Sequence, residues 1–326
     1  MSMNKESGKS RLASAKTKKR VMNTVSYVAR LLFLIAISYI VLYPLLYMIL
    51  SSITQEDAFI SSRRIWLPDN VTFDFYPKIM EIIDYPRALA STVKYGVVAS
   101  FIEVCSCAVA AYGFSRFKFK FKKLFTGMLF FTILIPTAMI IIPLAVNYGN
   151  LDFFGILGLF NKLTGIDLRV NILNTPWSFW LPSLFGVGLR SGIMIYIYMQ
   201  FFKGLPGEFE EAAYVDGAGP IRTFLQIIIP SSTVVILTVT VFSIIWHWND
   251  YQMATMFMSA DMPLSVSLLN LSDNLGIYGY YISDFDPRAI ALMMAACVLF
   301  ILPVLIFYMI VQHWFIESVD RVGITG

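Results

Sequence analysis

Two charged side chains lie in the interior of long apolar runs of the sequence. Glu103 stands near the middle of the run 92–114, and Arg190 stands near the middle of the run 178–202. A charge in membrane hydrocarbon is costly, so such residues usually pair with one another or face a polar cavity. We predict an ion pair between Glu103 and Arg190; the alternative is that one of them lines a polar path across the membrane.

A group of aromatic and polar residues ends another apolar run, at Trp246, Trp248, Asn249 and Asp250. Tryptophan is enriched where membrane hydrocarbon meets water, so we interpret this group as an aromatic belt at the outer interface. The alternative is a carbohydrate-facing patch, because aromatic rings stack on sugar rings while amide and carboxylate groups bind hydroxyls. We interpret His247 as a packed polar residue rather than as a ligand.

A hydrophilic stretch between two apolar runs, at residues 201–231, carries signals for two short helices. Pro206 suits the first position of a helix, and the acidic residues that follow it favour the positive end of the helix dipole. Asp216 and Gly217 indicate the end of that helix, and Pro220 opens a second amphipathic segment. Two such helices joined by a tight turn are marginal alone in water, so we expect another molecule to receive them.

The composition is that of a protein with several membrane spans. The chain has 326 residues, of which 57% are hydrophobic and only 14% are charged, whereas soluble domains carry about a quarter charged residues. Cys105, Cys107 and Cys297 lie in apolar runs, which predicts buried thiols without a disulfide framework or a metal site. The partial match to a phosphate-binding loop at residues 8–10 fails, because methionine stands where that motif needs its first glycine.

Six apolar runs are each close to the roughly 20 residues that cross membrane hydrocarbon. We predict an all-α integral membrane protein with six transmembrane helices in one domain over residues 26–313. The first run is too long for the core of a signal peptide, so we interpret it as a retained span behind the basic tail 1–25. Residues 314–326 are interpreted as a second tail. The runs cover about residues 26–50, 92–114, 124–146, 178–202, 231–248 and 288–312.

The positions of lysine and arginine orient these spans. Basic residues are densest in the N-terminal tail and in the loop 116–123, whereas the loop 250–286 has none. Because basic residues collect on the cytoplasmic side, we predict that both termini and the loop 203–230, between spans four and five, lie inside the cell. We interpret the basic and aromatic run 116–123 as a membrane-edge loop rather than as a nucleic-acid site.

The stretch 201–231 also resembles a known motif. It is similar to the EAA loop in permease subunits of binding-protein-dependent ABC importers, including the spacing from the glutamate to the final proline. This arrangement between two spans is more specific than an EAA triplet alone, so the chain is identified as a member of that family. The matching residues are Glu211, Ala212, Ala213, Asp216, Gly217, Ala218, Phe224, Ile227, Ile229 and Pro230.

Other, less specific stretches of the sequence resemble the sugar-uptake branch of the family, the maltose-transporter-type permeases. The stretch 110–116 (AAYGFSR) is similar to the end of a core span, and 248–251 (WNDY) is similar to a stretch after the fifth span. Leu67 and Pro68 resemble part of the first outer loop. The resemblance implies a carbohydrate substrate, expected to be an oligosaccharide. The loop 147–176 is longer than the family pattern, and it either contacts a binding protein or packs locally.

The resemblance implies a mechanism with several partners. In the family, the loop forms a coupling helix that docks on a cytoplasmic ABC ATPase dimer, and ATP binding there switches the permease pair between inward- and outward-facing states. The chain itself is expected to bind no cofactor, to pair with a second permease subunit, and to receive a sugar from an extracytoplasmic binding protein. The small side chains of the loop suit close approach to the ATPase. The residues implied to couple are Glu208, Glu211, Ala212, Ala213, Asp216, Gly217, Ala218 and Pro230.

Other classes of function remain as alternatives. Within the same class, the cargo would be a glycerol phosphate or a polyol. An ion-coupled secondary transporter would have inverted repeats and discontinuous spans with ion ligands, and the sequence has no recognisable pattern of either kind. A membrane enzyme would need clustered catalytic groups at one depth, and only Glu103 with Arg190 qualifies. We therefore predict a multi-pass protein of the cell membrane that is not an enzyme.

Overall fold

The described part of the chain is helical. The computed structural model gives side chains within residues 22–314 and a backbone for residues 3–55, 70–152, 155–281 and 286–323. Every secondary-structure element in these ranges is a helix, and two isolated β-bridges are the only β-structure there. The predicted all-α class is therefore confirmed for the described residues. Leu67 and Pro68 of the predicted outer loop lie outside them.

The first helix, α1 (Met3–Ser52), is also the longest. Its part Met22–Ser52 is apolar enough to cross a membrane, and the rest of the chain buries none of its most apolar stretch. The helix begins at Met3, so it includes most of the segment 1–25, which the sequence predicts to be a tail. Its last residue, Ser52, is joined to the Tyr76 hydroxyl by a hydrogen bond of 2.8 Å.

The central helix of the molecule is assembled from three pieces. After α2 (Phe75–Ile82), α3 (Tyr85–Thr92) starts with a proline in its first turn, which suits a helix N-terminus. A π-helical turn, Val93–Val97, joins α3 to α4 (Val98–Arg116), so that one apolar helix of 32 residues results. This helix is the second predicted span, extended at its N-terminal end.

The third predicted span is bent. Helices α5 (Lys122–Leu134) and α6 (Thr137–Gly149) meet at Pro136 with an angle of 102° between them. Proline lacks the backbone N–H that would continue the helix, which explains the break there. The loop that follows contains α7 (Ile156–Thr164) between the two partners of a β-bridge.

The fourth predicted span, 178–202, is interrupted. It consists of α8 (Trp177–Leu184) and α9 (Ser191–Gly204), separated by six residues. Two of these, Gly186 and Arg190, have positive φ angles of 66° and 59°. A left-handed residue cannot continue a right-handed helix, so the single helix predicted here is corrected to two shorter ones.

The polar loop forms the two short helices that its sequence signals predict. Helix α10 (Glu208–Val215) is followed by α11 (Pro220–Thr223), a π-helical turn and α12 (Ile229–Ser231). The segment 220–231 meets α13 (Thr233–Asn249) at an angle of 81°. The loop is thus continuous with the next apolar helix through one sharp bend.

Three short helices precede the last long one. They are α14 (Gln252–Phe257), α15 (Leu264–Leu269) and α16 (Leu271–Ile277). Helix α17 (Pro287–Gly323) follows, and it runs through most of the segment interpreted as a C-terminal tail. Its apolar part ends at Trp314.

The described residues contain several candidate membrane spans. Three helices are long and apolar enough to cross a membrane, and the number rises to five if each bent pair counts as one span. These are α1, the helix of α3 and α4, and α17, with the pairs α5–α6 and 220–249. By length and composition, the described residues therefore give fewer spans than the six predicted.

Three clusters of buried apolar side chains hold the helices together. One joins α4, α9 and α13, a second joins α2, α15, α16 and α17, and a third joins α6, α8 and α14. Helix α4 packs against α8, α9 and α13, so it is the central helix. Large side chains in the interior with almost no exposure include Tyr95, Tyr198, Phe202, Ile79, Met194, Leu264 and Leu292.

The three cysteines differ in their surroundings. All three are free thiols, and no disulfide joins them. Cys107 is buried in the cluster of α4, α9 and α13, and Cys297 is half-buried. Cys105 is exposed, which corrects the prediction that all three thiols are buried, because alternate faces of α4 meet the core and the surroundings.

Candidate functional site

The helix α10 is ended by a glycine in a left-handed conformation. Gly217 has φ +78°. The Ala218 N–H donates to the Ala213 carbonyl at 2.9 Å, and the Gly217 N–H donates to the Tyr214 carbonyl at 3.1 Å. Such bonds satisfy carbonyl groups that a helix end leaves unpaired, and the left-handed residue that permits them is usually glycine. The sequence therefore predicts this helix end correctly.

The two faces of α10 have different surroundings. Glu210 and Ala213 are buried, and Ala213 is only 4% exposed, whereas Glu208, Glu211 and Ala212 are exposed. Ala213 thus packs against its own chain and is not available for close approach to another molecule. Of the two alanines assigned to the docking face, the structure leaves only Ala212 on the surface.

Arg116, the last residue of α4, attaches this loop to the membrane domain. Its guanidinium donates a hydrogen bond of 2.8 Å to the Leu205 carbonyl. The guanidinium Nε also lies 3.4 Å from Glu210 Oε1, an ion pair that lacks hydrogen-bond geometry. Phe224 packs on Tyr112 of α4 with ring centroids 4.8 Å apart. The loop is therefore joined directly to α4.

The outer surface of the loop is apolar with acidic groups beside it. Val215 is 87% exposed and Ile221 is 77% exposed, and Phe209, Tyr214 and Leu225 are also exposed. Exposed apolar patches of this kind mark surfaces that bind other molecules. The exposed carboxylates of Glu208 and Glu211 add negative charge to the same helix. Of the other residues assigned to coupling, Asp216 and Pro230 are exposed and Ala218 is half-buried.

Glu103 lies fully buried in α4, and its carboxylate meets side chains from two other helices. The hydroxyl of Ser191, the first residue of α9, donates a hydrogen bond to Oε1. The Ser243 hydroxyl of α13 lies 3.3 Å from Oε2, and His247 Nδ1 lies 3.7 Å from the same oxygen. A buried carboxylate needs such partners, because desolvation without them is strongly unfavourable.

Arg190 has a different partner from the one predicted. Its guanidinium carbon lies 5.1 Å from the centroid of the Trp246 ring, an arrangement in which the ring attracts the cation. The side chain is exposed, and among the described residues no ion pair joins it to Glu103. The predicted Glu103–Arg190 pair is thus corrected: the left-handed break before α9 puts Ser191, rather than Arg190, against the carboxylate.

The aromatic and polar group at the end of α13 is divided between two environments. Trp248 is buried and donates a hydrogen bond of 3.1 Å from its indole N–H to the Phe300 carbonyl of α17. Trp246 is half-buried and Asn249 is exposed. The Asp250 carboxylate accepts a bond of 3.2 Å from the Met253 N–H at the start of α14. Trp248 therefore belongs to the core rather than to a belt or a ligand surface.

The comparison with protein families decides what kind of protein this is. Residues 105–321 match the family of binding-protein-dependent transport system inner membrane components. This match covers more than half of the chain, including the loop 203–230 and the helices α9 and α13 that contact Glu103. The chain belongs to this family. It is a component of a transport system and not an enzyme, and its apolar helices make it a multi-pass protein of the cell membrane.

Individual relatives of this inner membrane component cover most of the chain. The trehalose transport system permease protein SugB of Mycobacterium tuberculosis is 26% identical over 263 residues, which are 80% of this chain and 84% of that protein. The probable starch degradation products transport system permease protein AmyC of Thermoanaerobacterium thermosulfurigenes is 24% identical over 277 residues, 84% and 88% of the two chains. The sn-glycerol-3-phosphate transport system permease protein UgpE of Pectobacterium atrosepticum is 27% identical over 258 residues, 78% and 77%.

A solved structure has the same fold as this inner membrane component. It is the crystal structure of a bacterial ABC transporter involved in the import of the acidic polysaccharide alginate. The TM-score is 0.68 at 22% identity, over 89% of this chain and 96% of that chain. The likeness extends over nearly the whole chain, so the interrupted and bent helices belong to a known membrane fold.

Sequence reasoning missed three partners of Glu103 in this inner membrane component. Ser243 and His247 are four residues apart on α13, a spacing that puts both on one helix face and was available from the sequence. Ser191 carried no such signal, because its position depends on the break before α9. No group of three or more His, Cys, Asp or Glu residues that could hold a metal ion occurs among the described residues.

Proposed function

We propose that the chain is the permease subunit of an ATP-driven importer that carries a carbohydrate into the cell. The observation that carries this proposal is the exposed apolar surface of the loop 203–230, attached to α4 in a chain of this transport family. A surface of this kind requires a soluble partner. The names of SugB and AmyC connect relatives of this chain with trehalose and with starch degradation products, which supports a carbohydrate cargo.

In the proposed topology the chain crosses the membrane six times with both termini inside the cell. The spans are α1, the helix of α3 and α4, the bent pair α5–α6, the interrupted pair α8–α9, α13 and α17. The loop 116–123 and the loop 203–230 then lie on the cytoplasmic side, as the placement of lysine and arginine requires. Interrupted helices are tolerated in membranes where they are covered by protein or line a water-filled cavity.

In the proposed mechanism, α10 is the coupling helix of the EAA loop. A cytoplasmic ATPase dimer binds and hydrolyses ATP, and this chain binds no cofactor. When the ATPase moves α10, Arg116 and Phe224 transmit the displacement to α4, because both join the loop to the cytoplasmic end of that helix. Helix α4 carries Glu103, so the movement reaches the contacts that α4 makes with α9 and α13.

The proposed assembly contains three further components. A second, related permease subunit completes the membrane domain as a heterodimer, and an extracytoplasmic binding protein delivers the sugar. The large exposed apolar faces of α1, α5 and α6 contact membrane lipid or that second subunit. The ATPase dimer is the third component, and no nucleic acid takes part.

A second candidate cargo is a glycerol phosphate. The relative UgpE is named for sn-glycerol-3-phosphate transport, and its identity to this chain is similar to that of SugB. The two cargoes differ in charge and in the presence of a sugar ring. Uptake assays with a neutral sugar and with glycerol phosphate, each with its binding protein, distinguish them.

The coupling proposal is tested by the variant Gly217→Val. A branched side chain at φ +78° is strained, while nothing else lies within 4 Å of a Cβ at this position, so the effect is confined to the helix end. We expect normal membrane insertion, loss of co-purification with the ATPase, and loss of ATP-driven uptake in vesicles. The matched control is Gly219→Ala, which adds a Cβ in equally open space at φ −79°.

The controls decide between coupling and folding. If Gly217→Val retains both ATPase binding and uptake while inserting normally, α10 is not the coupling helix. If Gly219→Ala loses uptake as well, the loop tolerates no change and the role of Gly217 is not specific. Uptake that persists without any ATPase would instead identify an ion-coupled carrier.

A further inference from the structure

One face of α13 is left open by the rest of the chain. Thr238, Phe242, Trp246 and Asn249 lie at i, i+4, i+8 and i+11, on one side of the helix, and each is exposed or half-buried. The opposite side carries His247 and the other residues that pack on α4 and is buried. Helix α13 therefore has the buried Glu103 and its partners on one side and an open surface on the other.

Arg190 stands on this open surface. It lies over Trp246, its side chain is exposed, and among the described residues no ion pair joins it to a carboxylate. Asp250 lies within electrostatic range of Arg190, but its Oδ1 accepts a hydrogen bond from the Met253 N–H. An unpaired guanidinium inside a membrane domain is expected to face a polar cavity or a partner group rather than hydrocarbon.

The position of Arg190 is fixed by contacts on its other side. Its φ of 59° is unusual for a residue other than glycine. The next residue, Ser191, donates a hydrogen bond to Glu103, and a Cβ on Gly188 would lie only 2.8 Å from Glu103 Oε1. The break before α9 is thus pressed against α4, and Arg190 is turned away from the buried carboxylate toward Trp246.

The open face continues into a pocket between α13 and α17. Phe242 stacks on Trp246 with ring centroids 5.5 Å apart, and it also lines a pocket of about 130 Å³. Tyr308 and Gln312 of α17 and Thr238 of α13 line the same pocket. Aromatic rings therefore follow the guanidinium along one side of the helix, with the Tyr308 hydroxyl and the Gln312 amide beside them, whereas the Thr238 hydroxyl donates to a backbone carbonyl of α13.

We propose that Arg190 and this open face of α13 form a binding site for an acidic saccharide on the translocation path. The planar guanidinium of arginine binds a carboxylate through two parallel hydrogen bonds. The rings of Phe242 and Tyr308 offer flat apolar faces for a sugar ring, and Asn249 and Gln312 offer amides for its hydroxyls. The inference rests on the proposed import function and specifies its substrate as an anionic sugar. Glu103 and Ser191 are positioning residues, since they hold Arg190 without touching the ligand.

The test compares a charged and a neutral probe on the assembled transporter in nanodiscs. We expect tri-galacturonate to bind about tenfold or more tightly than maltotriose, since one charge-assisted contact is worth at least that factor. Arg190→Gln should abolish this difference, and Arg190→Lys should restore only part of it, because an ammonium is a point charge. The control Arg169→Gln removes an exposed arginine that is paired with Asp167 at 2.6 Å, and it should leave the difference unchanged.

Positioning is tested separately through Glu103→Gln. This variant should reduce the preference for tri-galacturonate while the affinity for maltotriose stays the same, an effect that general misfolding would not produce. Equal affinities of the wild type for both probes would overturn the inference, as would an unchanged preference in Arg190→Gln. Loss of the second permease subunit from Arg190→Gln would also overturn it, because Arg190 would then pair with that subunit. If the inference is overturned in any of these ways but ATP-driven uptake of maltotriose is observed, the proposed import function is still supported.

Discussion

The loop 203–230 and the interrupted span 177–204 both depend on a residue in the left-handed region, and the two residues are held in different ways. Gly217 has φ +78° in open surroundings, and glycine adopts that conformation without steric cost. Arg190 has φ +59°, which costs a residue with a side chain about 1 kcal/mol or more. In the loop the residue type suffices, whereas in the span the Ser191–Glu103 bond and the Trp246 contact stabilise the conformation.

This difference has a functional counterpart. The end of α10 is set by local sequence and the outer surface of the loop is exposed, so the docking surface is already formed before a partner binds. The break before α9 is set by side chains from α4 and α13, so any movement between those helices changes the position of Arg190. The first region suits a docking surface and the second suits a part that responds to movement.

The largest effect on stability is expected from Gly188→Ala. The new Cβ would lie 2.8 Å from both Glu103 Oε1 and Ser183 Oγ, so the packed break has to shift. Overpacking of this kind costs about 2 to 3 kcal/mol. Thermal unfolding of the detergent-solubilised protein measures the loss. Gly113→Ala in α4, where nothing lies within 4 Å, is the matched control and should be neutral or slightly stabilising.

A smaller effect on stability is expected from a substitution on the buried face of α10, and none from one on its exposed face. Ala213→Leu inserts bulk where the side chain is 4% exposed and should cost about 1 to 2 kcal/mol of stability. Ala212→Leu alters the exposed face and should leave the thermal unfolding temperature unchanged while weakening ATPase binding. Equal effects of the two substitutions on stability would contradict the assignment of the faces.

The attachment of the loop is tested by Arg116→Gln. The variant loses the charge opposite Glu210 and weakens the bond to the Leu205 carbonyl, at an expected cost of about 1 kcal/mol. A double-mutant cycle with Glu210→Gln isolates the ion pair. We expect ATPase binding to persist and ATP-driven uptake to fall, because the loop still docks but transmits less displacement to α4. Unchanged uptake would show that Arg116 does not transmit it.

The smallest effect is expected at the surface, where Arg87 lies 2.8 Å from Asp261. The hydrogen bond from Arg87 and its charge hold the pKa of the Asp261 carboxyl below its usual value. A lowered pKa in the folded state means that the pair stabilises the fold above about pH 4 and that this contribution is lost as the pH falls further. Asp261→Asn should therefore lower the unfolding temperature slightly at pH 7 and less as the pH falls below the pKa of the folded state. The exposure of the pair keeps the effect small.

The sequence predicts the loop better than the site in the membrane domain. Pro206, Pro220 and the acidic first turn predict two short helices; α11 starts at Pro220 as predicted, whereas α10 starts at Glu208, two residues after Pro206. The burial of Glu103 is also predictable, because it stands inside an apolar run. Its partners are not, since they come from α9 and α13 and depend on how those helices are rotated and aligned along the membrane.

The predicted position of Arg190 opposite Glu103 is wrong because the span 178–202 is not one continuous helix. An uninterrupted helix over 178–202 would allow Arg190 to face Glu103, as predicted. The six residues between α8 and α9 instead change the direction of the chain, so that Ser191 meets the carboxylate and Arg190 meets Trp246. Gly186 and Gly188 give the segment the freedom to bend, but they do not specify the bend.

The sequence by itself determined the membrane class, the start of α11 at Pro220 and the left-handed end at Gly217, because these depend on hydrophobic length, proline and glycine within a few residues. Only the tertiary structure decided which side chains contact the buried Glu103 and which face of α13 remains open. Those outcomes depend on contacts between distant residues, such as Ser243 and Glu103, which are 140 positions apart. Such contacts follow from the packing of whole helices, which no short stretch of the sequence specifies.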